Sequence, residues 1–213
     1  MDCPLCHSPD HRLFFEDQQR PYRRCNSCEL VFVSESHRLD RAAEKRVYDQ
    51  HENDPADPQY REFLSRLYRP MIARVPEGAE GLDFGAGPGP TLSVMFEEVG
   101  HNMWIYDPFY APQAAALQRT YDFITASEVV EHLYRPGEEL ARLWACLRPG
   151  GWLGVMTKRV RDREPFASWH YKNDPTHVCF YSEATFRWIA GNFGARLEFA
   201  GEEVALLEKT TGK

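Results

Sequence analysis

Between residues 60 and 75 the apolar positions Phe63, Leu64, Leu67, Met71, Ile72 and Val75 recur at helical spacing, which predicts an amphipathic helix. Pro70 is expected to kink it, and Pro76 and Gly78 end it. Beyond that point, short apolar runs alternate with amphipathic stretches. Strands are predicted at 80–84, 102–106, 121–126 and 152–157, and helices at 90–99, 112–119, 136–147 and 182–192. A long loop separates the last of these strands from the 182–192 helix, and closing strands follow near 195–200 and 203–209. Alternation of this kind gives an α/β fold, a parallel sheet with helices on both faces. Upstream, LVFV at 30–33 reads as a strand, 38–50 as a charged helix, and HENDPADP at 51–58 as a polar connector. The chain thus divides into a module at 1–36, a helical connector at 37–78 and a core at 79–213.

The composition, 43% hydrophobic and 27% charged over 213 residues, is that of a folded globular chain. No stretch approaches the roughly 18 consecutive apolar residues of a spanning helix, and the N-terminus MDCPLCHSPDHR has no signal-peptide pattern, so a cytoplasmic protein without membrane association is expected. The net charge of −7 opposes non-specific contact with a polyanion. A small-molecule substrate and no stable nucleic-acid partner are therefore expected. Two basic clusters, Arg20/Arg23/Arg24 and Lys158/Arg159/Arg161/Arg163, are either anion contacts or solvated loop charges.

Four of the six cysteines form the pairs Cys3-x-x-Cys6 and Cys25-x-x-Cys28, with eighteen residues between the pairs. Two such knuckles joined by a hairpin complete the four-thiolate shell of a structural zinc ion, which makes the module a zinc ribbon with no open coordination position. His7 and His11 lie close enough to replace a thiolate, although four cysteines suffice. Cys146 and Cys179 lack paired spacing and read as core residues. The ribbon has few apolar residues, so metal binding is expected to supply much of its stability. Docking of a protein partner through it is one reading of its role.

Asp83-x-Gly85-x-Gly87-x-Gly89 falls between a predicted strand and a predicted helix, where glycines allow a tight turn and close approach of a ligand to the backbone. Such turns serve several nucleotides, but Asp107, twenty-four residues after Asp83, has the spacing of an acid that meets ribose hydroxyls. The run GLDFGAGPGP at 81–90 resembles motif I of class I S-adenosyl-L-methionine-dependent methyltransferases. YDFITASEVVEHL at 121–133 and LRPGGWLGVMT at 147–157 are similar to the fourth strand and the helix-to-strand turn of that family. The resemblance covers most of residues 79–209 and implies a Rossmann-like methyltransferase sheet binding S-adenosylmethionine. It also implies that Phe84, Gly85, Ala86, Gly87 and Gly89 line the methionine portion with Asp83 close by, and that Asp107 and Pro108 meet the ribose. Ser127 and Glu128 would border the methyl donor. Only the thirteen residues 108–120 separate Asp107 from the next strand, so the family's third strand is expected to be vestigial or missing, with Phe109 or Tyr110 covering the adenine.

Glu128, Glu131 and His132 resemble a Glu-x-x-Glu-His segment of metal-dependent O-methyltransferases, in which His177 would supply a further ligand to a divalent cation. The same segment resembles relatives with no metal, where its charges cap and orient the following turn. The loop WHYKNDPTHVCFY at 169–181 is expected to overhang the pocket as a substrate lid. Within it His177 is the candidate general base, with His170 and Tyr171 as further catalytic candidates. The cysteine module joined to such a core resembles bacterial methyltransferases of small metabolites. Methyl transfer to a small molecule is therefore expected, with methylation of RNA or protein docked on the ribbon, or a non-catalytic zinc-ribbon adaptor, as alternatives.

Overall fold

The computed structural model describes residues 1–50 and 53–211, so the first two residues of the polar connector and the last two of the chain lie outside the described residues. The N-terminal module is built from strands β1 (His11–Glu16), β2 (Pro21–Cys25) and β3 (Val31–Val33), each antiparallel to the next. Helices α1 (Arg41–Tyr48) and α2 (Pro58–Ile72) follow, and both begin as their sequence dictates. Asp40 accepts from the amide of Ala43 and Asp57 from that of Gln59, so each helix has an aspartate cap. Pro70 falls in the last turn of α2, which ends two residues later.

The second sheet contains β4 (Glu80–Phe84), β5 (Asn102–Tyr106), β6 (Tyr121–Ser127), β7 (Leu147–Met156), β9 (Ala195–Ala200) and β10 (Val204–Lys209). Its order is β5-β4-β6-β7-β10-β9, with the first four strands parallel and β10 antiparallel to both neighbours. The expected vestigial third strand leaves β5 at the edge. Residues 114–118 form a short 3-10 turn in place of the predicted helix at 112–119, since the turn closed by the Asp107–Ala111 bridge takes up the first residues of the segment. Helices α3 (Thr91–Glu97), α4 (Pro136–Cys146) and α6 (Glu183–Phe193) complete the alternation.

Alternate residues of each central strand enter different cores. Phe123, Trp152, Met156, Val204 and Leu206 pack with Leu64, Leu67 and Met71 of α2 and Phe96 of α3. Ile124, Ala126, Leu153, Val155, Ala205 and Leu207 face the opposite way, onto α4, α6 and the N-terminal module. Gly154 permits the close approach of α2, since a β-carbon there would come within 2.7 Å of the Met71 sulfur. Cys146 and Cys179 are both buried.

The predicted long loop after β7 is partly ordered into elements of its own. It contains α5 (Arg163–Ala167) and β8 (Cys179–Phe180), and β8 pairs antiparallel with β3 to become the fourth strand of the N-terminal sheet. Phe166 of α5 is wedged edge-on against Phe14, Tyr22 and Phe180, with centroids 5.0–5.4 Å apart. The module also rests on the start of α4, where the Gly137 amide donates to the Pro4 carbonyl.

Adding a methyl at Gly137 would place it 2.4 Å from the Leu5 carbonyl oxygen, whereas Gly191 in α6 faces open space. Gly137→Ala should therefore destabilise the protein by about 1–3 kcal/mol through overpacking, although alanine favours helix. Gly191→Ala should stabilise it by about 0.5–1 kcal/mol on propensity alone. Urea unfolding of the two variants checks both signs.

Candidate active site

The parallel strands β4, β5 and β6 end at a common edge, and the chain leaves β4 through the glycine turn. Gly85 and Gly87 both take positive φ, and a β-carbon on Gly85 would lie 2.4 Å from Val129. The amides of Gly85 and Ala86 donate to the Tyr106 carbonyl at the end of β5. Gly87 donates to Asp107 Oδ2 at 3.0 Å, while Oδ1 accepts from the amides of Phe109 and Tyr110. Asp107 therefore ties the two turns together and retains acceptor capacity on Oδ2. Gly89 packs against the Asn53 backbone so closely that no side chain fits.

These turns border a cavity of about 820 Å³. Phe84, Gly85, Ala86, Gly87, Asp107, Pro108, Ser127 and Glu128 line it, as do His170, Tyr171 and His177. Asp83 does not. Its carboxylate turns inward, accepts from Thr125 Oγ1 at 2.9 Å and Ser93 Oγ at 3.3 Å, and is pushed up to about 6 by burial. It braces β4 against β6 and α3 from behind the turn.

The cavity wall also includes residues that the sequence did not single out. Arg41, Glu44 and Tyr48 of α1 and Tyr60 and Phe63 of α2 line it. Helix α1 is fastened over Phe109 and Tyr110: Arg41 donates to the Pro108 carbonyl at 2.8 Å and lies over the Phe109 ring, and Tyr110 donates to Asp49 at 2.7 Å. No residue of α1 is fully buried, so its periodicity carries no sign of where it docks.

On the far side of the cavity, two carboxylates flank one phenol. Tyr171 Oη lies 3.1 Å from Glu128 Oε2 and makes a still closer hydrogen bond to Glu131 Oε1. Glu131 is fully buried. Burial pushes the Glu128 carboxyl up to about 7, and burial together with the Glu128 charge pushes Glu131 up to about 8. Glu128 holds a left-handed φ of 52°, a strained conformation for a residue with a side chain. Ser127 Oγ, Glu128 Oε1 and Glu131 Oε2 are buried with no hydrogen-bond partner among the described residues. Ser127 and Glu128 line the cavity, where an orphaned polar group is the mark of a site that a bound group completes, and Glu131 lies behind them.

His132 and His177 stand beside this pair with ring centroids 4.6 Å apart. His177 Nδ1 is 2.7 Å from the Tyr171 carbonyl and His132 Nδ1 is 3.3 Å from that of Thr176. Donation from Nδ1–H to these carbonyls would leave Nε2 of each neutral ring an unprotonated acceptor. Burial lowers the pKa of His177 despite nearby Asp174. Ligand atoms of Glu131, His132 and His177 lie within 4.8 Å of one another, a group able to hold a cation. Glu128, expected in the same ligand set, lies outside this group.

At the N-terminus, Cys3, Cys6, Cys25 and Cys28 converge, with all four sulfurs within 4.8 Å. The closest pairs, Cys3–Cys28 and Cys6–Cys25, are 3.5 and 3.4 Å apart, near the roughly 3.8 Å edge of a tetrahedral zinc–thiolate site. The two knuckles are built alike: His7 and Glu29, each directly after the second cysteine of its pair, both adopt positive φ and donate to the carbonyl of the first. His11 instead lies on β1 with Nε2 2.9 Å from the Met1 carbonyl oxygen.

The folded protein holds a proton on Asp83 more tightly than the unfolded chain does. That contribution is complete below about pH 4 and is lost as pH rises through 6, amounting to about 3 kcal/mol. Without cofactor, wild type should lose this much relative to Asp83→Asn between about pH 4 and 7, as read by urea unfolding. A difference independent of pH would contradict it.

A methyltransferase-domain family matches residues 56–198 of this chain. Among solved structures, the 1,6-didemethyltoxoflavin-N1-methyltransferase of Burkholderia thailandensis, with its substrate and S-adenosylhomocysteine bound, is similar with a TM-score of 0.58. It shares 16% identity over 94% of this chain and 99% of its own. An S-adenosylmethionine-dependent methyltransferase from Archaeoglobus fulgidus is similar over 70% of this chain and 94% of its own, at 17% identity and TM-score 0.54. An O-methyltransferase family protein from Burkholderia thailandensis matches 80% of this chain and 64% of its own, at 15% identity and TM-score 0.51. No curated protein matches by sequence. These likenesses are of fold, and the family match spans more than half of the chain, glycine turn and acidic wall included. The chain belongs to the methyltransferase-domain family and is an S-adenosylmethionine-dependent methyltransferase.

Proposed function

We propose that the enzyme methylates a protic group, most simply a hydroxyl, on a small molecule held inside the cavity. The observation that carries this reading is the enclosure of both halves of the chemistry in one space of about 820 Å³, a size suited to a cofactor and a small acceptor together. Gly85, Ala86 and Gly87 would receive the methionine portion of the cofactor, Asp107 Oδ2 the ribose, and Phe109 and Tyr110 the adenine. The unpartnered Ser127 Oγ and Glu128 Oε1 fit the polar end of such a ligand.

S-adenosylmethionine supplies an electrophilic methyl on a sulfonium. What this chain contributes is placement of the acceptor in line with it, and removal of a proton. His177, anchored through Nδ1 and kept neutral by burial, is the base of this reading. His170, whose Nε2 is 3.2 Å from Lys158 Nζ, sits at the exposed rim and suits substrate entry better than proton transfer. Tyr171, hydrogen-bonded to both glutamates, holds them in place.

A second reading is favoured by the buried, unpartnered Glu131 Oε2 beside two anchored imidazoles. Glu131, His132 and His177 would hold a divalent cation, which supplies acidification of a bound hydroxyl. The four cysteines would hold a structural zinc ion.

Incubation with methyl-labelled S-adenosylmethionine and a cell extract separated into small molecules, RNA and protein tests the acceptor class. Label is expected in the small-molecule fraction, and label in RNA or protein alone would overturn the reading. His177→Gln should reduce transfer by about 10²–10⁴-fold with S-adenosylhomocysteine binding retained in calorimetry. Dependence of wild-type transfer on added magnesium or manganese separates the cation reading from the simple base.

A further inference from the structure

Arg20 belongs to a cluster that, by sequence, is an anion contact or a solvated loop charge. It is neither. The residue is 5% exposed, and its guanidinium donates to three backbone carbonyls of one loop: Lys172 at 2.8 Å, Asp174 at 2.9 Å and Pro175 at 3.2 Å. Its Nε donates to Tyr22 Oη at 3.1 Å. A rigid, planar fork with five donors can gather divergent carbonyls in this way, and an ammonium cannot. Asp17, on the same hairpin, binds Lys172 Nζ at 3.0 Å and accepts the amide of Arg20 itself.

The gathered loop is the acceptor wall. The Asp174 carbonyl that Arg20 holds also accepts from the His177 amide, and the Tyr171 carbonyl one residue before Lys172 orients His177 Nδ1. Farther along, the Val178 carbonyl accepts from Val33 of β3, and the Val178 amide donates to the Glu131 carbonyl. Residues 170–177 have only one short 3-10 turn of their own, and Tyr171, Asp174 and His177 line the cavity while Arg20 does not. Reacting groups on a loop must be held to within a fraction of an ångström, which requires support from outside the loop.

We propose that Arg20 is a positioning residue for methyl transfer, and that the cysteine module serves catalysis by clamping the loop that presents Tyr171, Asp174 and His177 to the acceptor. This rests on the reading that those residues face the acceptor. The module is then part of the active-site frame, with no docking partner required for that role.

The test uses the full, zinc-loaded chain with Arg20→Ala and Arg20→Lys. Four measurements are made: zinc content, S-adenosylhomocysteine affinity, the imidazole NMR signal of His177, and label transfer from S-adenosylmethionine to extract. For Arg20→Ala the expected result is unchanged zinc, affinity within about twofold, a shifted His177 signal and transfer reduced by about 10²-fold. Millimolar guanidinium should restore part of the activity of Arg20→Ala, and Arg20→Lys should be intermediate. A His177 signal and a transfer rate like wild type would overturn the proposal. Loss of zinc or of cofactor affinity in step with activity, without rescue, would also overturn it, reducing Arg20 to a folding residue. If wild type labels RNA or protein instead, the acceptor reading fails, and the ratio of Arg20→Ala to wild type on that fraction still decides this one.

Discussion

Strand β3 is buried along its whole length, and a buried strand cannot leave its amides and carbonyls unpaired. On one side it pairs with β2, which carries Cys25 at its end. On the other it pairs with β8 and takes a hydrogen bond to Val178, the residue after His177. That second edge joins the cysteine module to the cavity wall formed by the 170–177 loop. β3, Arg20 and Glu131 together hold the loop between β7 and α6 from the side of the cysteine module.

The two sides of the cavity are held by different means. The glycine-turn side is a property of the parallel sheet: β4 and β5 end together, Asp107 ties their turns through three amides, and Asp83 braces the turn from within the core. The opposite side is assembled from segments far apart in sequence, with α1, the Glu128–His132 turn and the 170–177 loop meeting over the pocket. Its carboxylates share a single phenol and keep unpartnered oxygens, an arrangement whose cost a bound group would offset.

Most of the fold was legible in the chain. Apolar periodicity placed α2 and the central strands within a few residues, and the short 108–120 segment announced the missing edge strand because thirteen residues cannot form a helical crossover and another strand. The failures have physical causes. The helix expected at 112–119 is only a 3-10 turn, held between closely spaced elements. Strand β8 has two residues, too few for any alternating pattern, and its pairing is decided by the unsatisfied edge of β3. Arg20 looked like a surface charge because nothing local distinguishes a solvated guanidinium from one buried among carbonyls supplied from 150 residues away.

By itself the sequence determined the glycine turn at the end of β4, because that turn and the strands around it belong to one βαβ unit whose geometry follows from local conformation and spacing. It also determined the four-sulfur cluster, since each cysteine pair is a local turn. The tertiary structure alone decided what the cysteine module is joined to and which side chains line the cavity opposite the glycine turn. Those contacts depend on packing between segments with no sequence periodicity in common, so only the assembled fold brings Arg20, β3 and the His177 loop together.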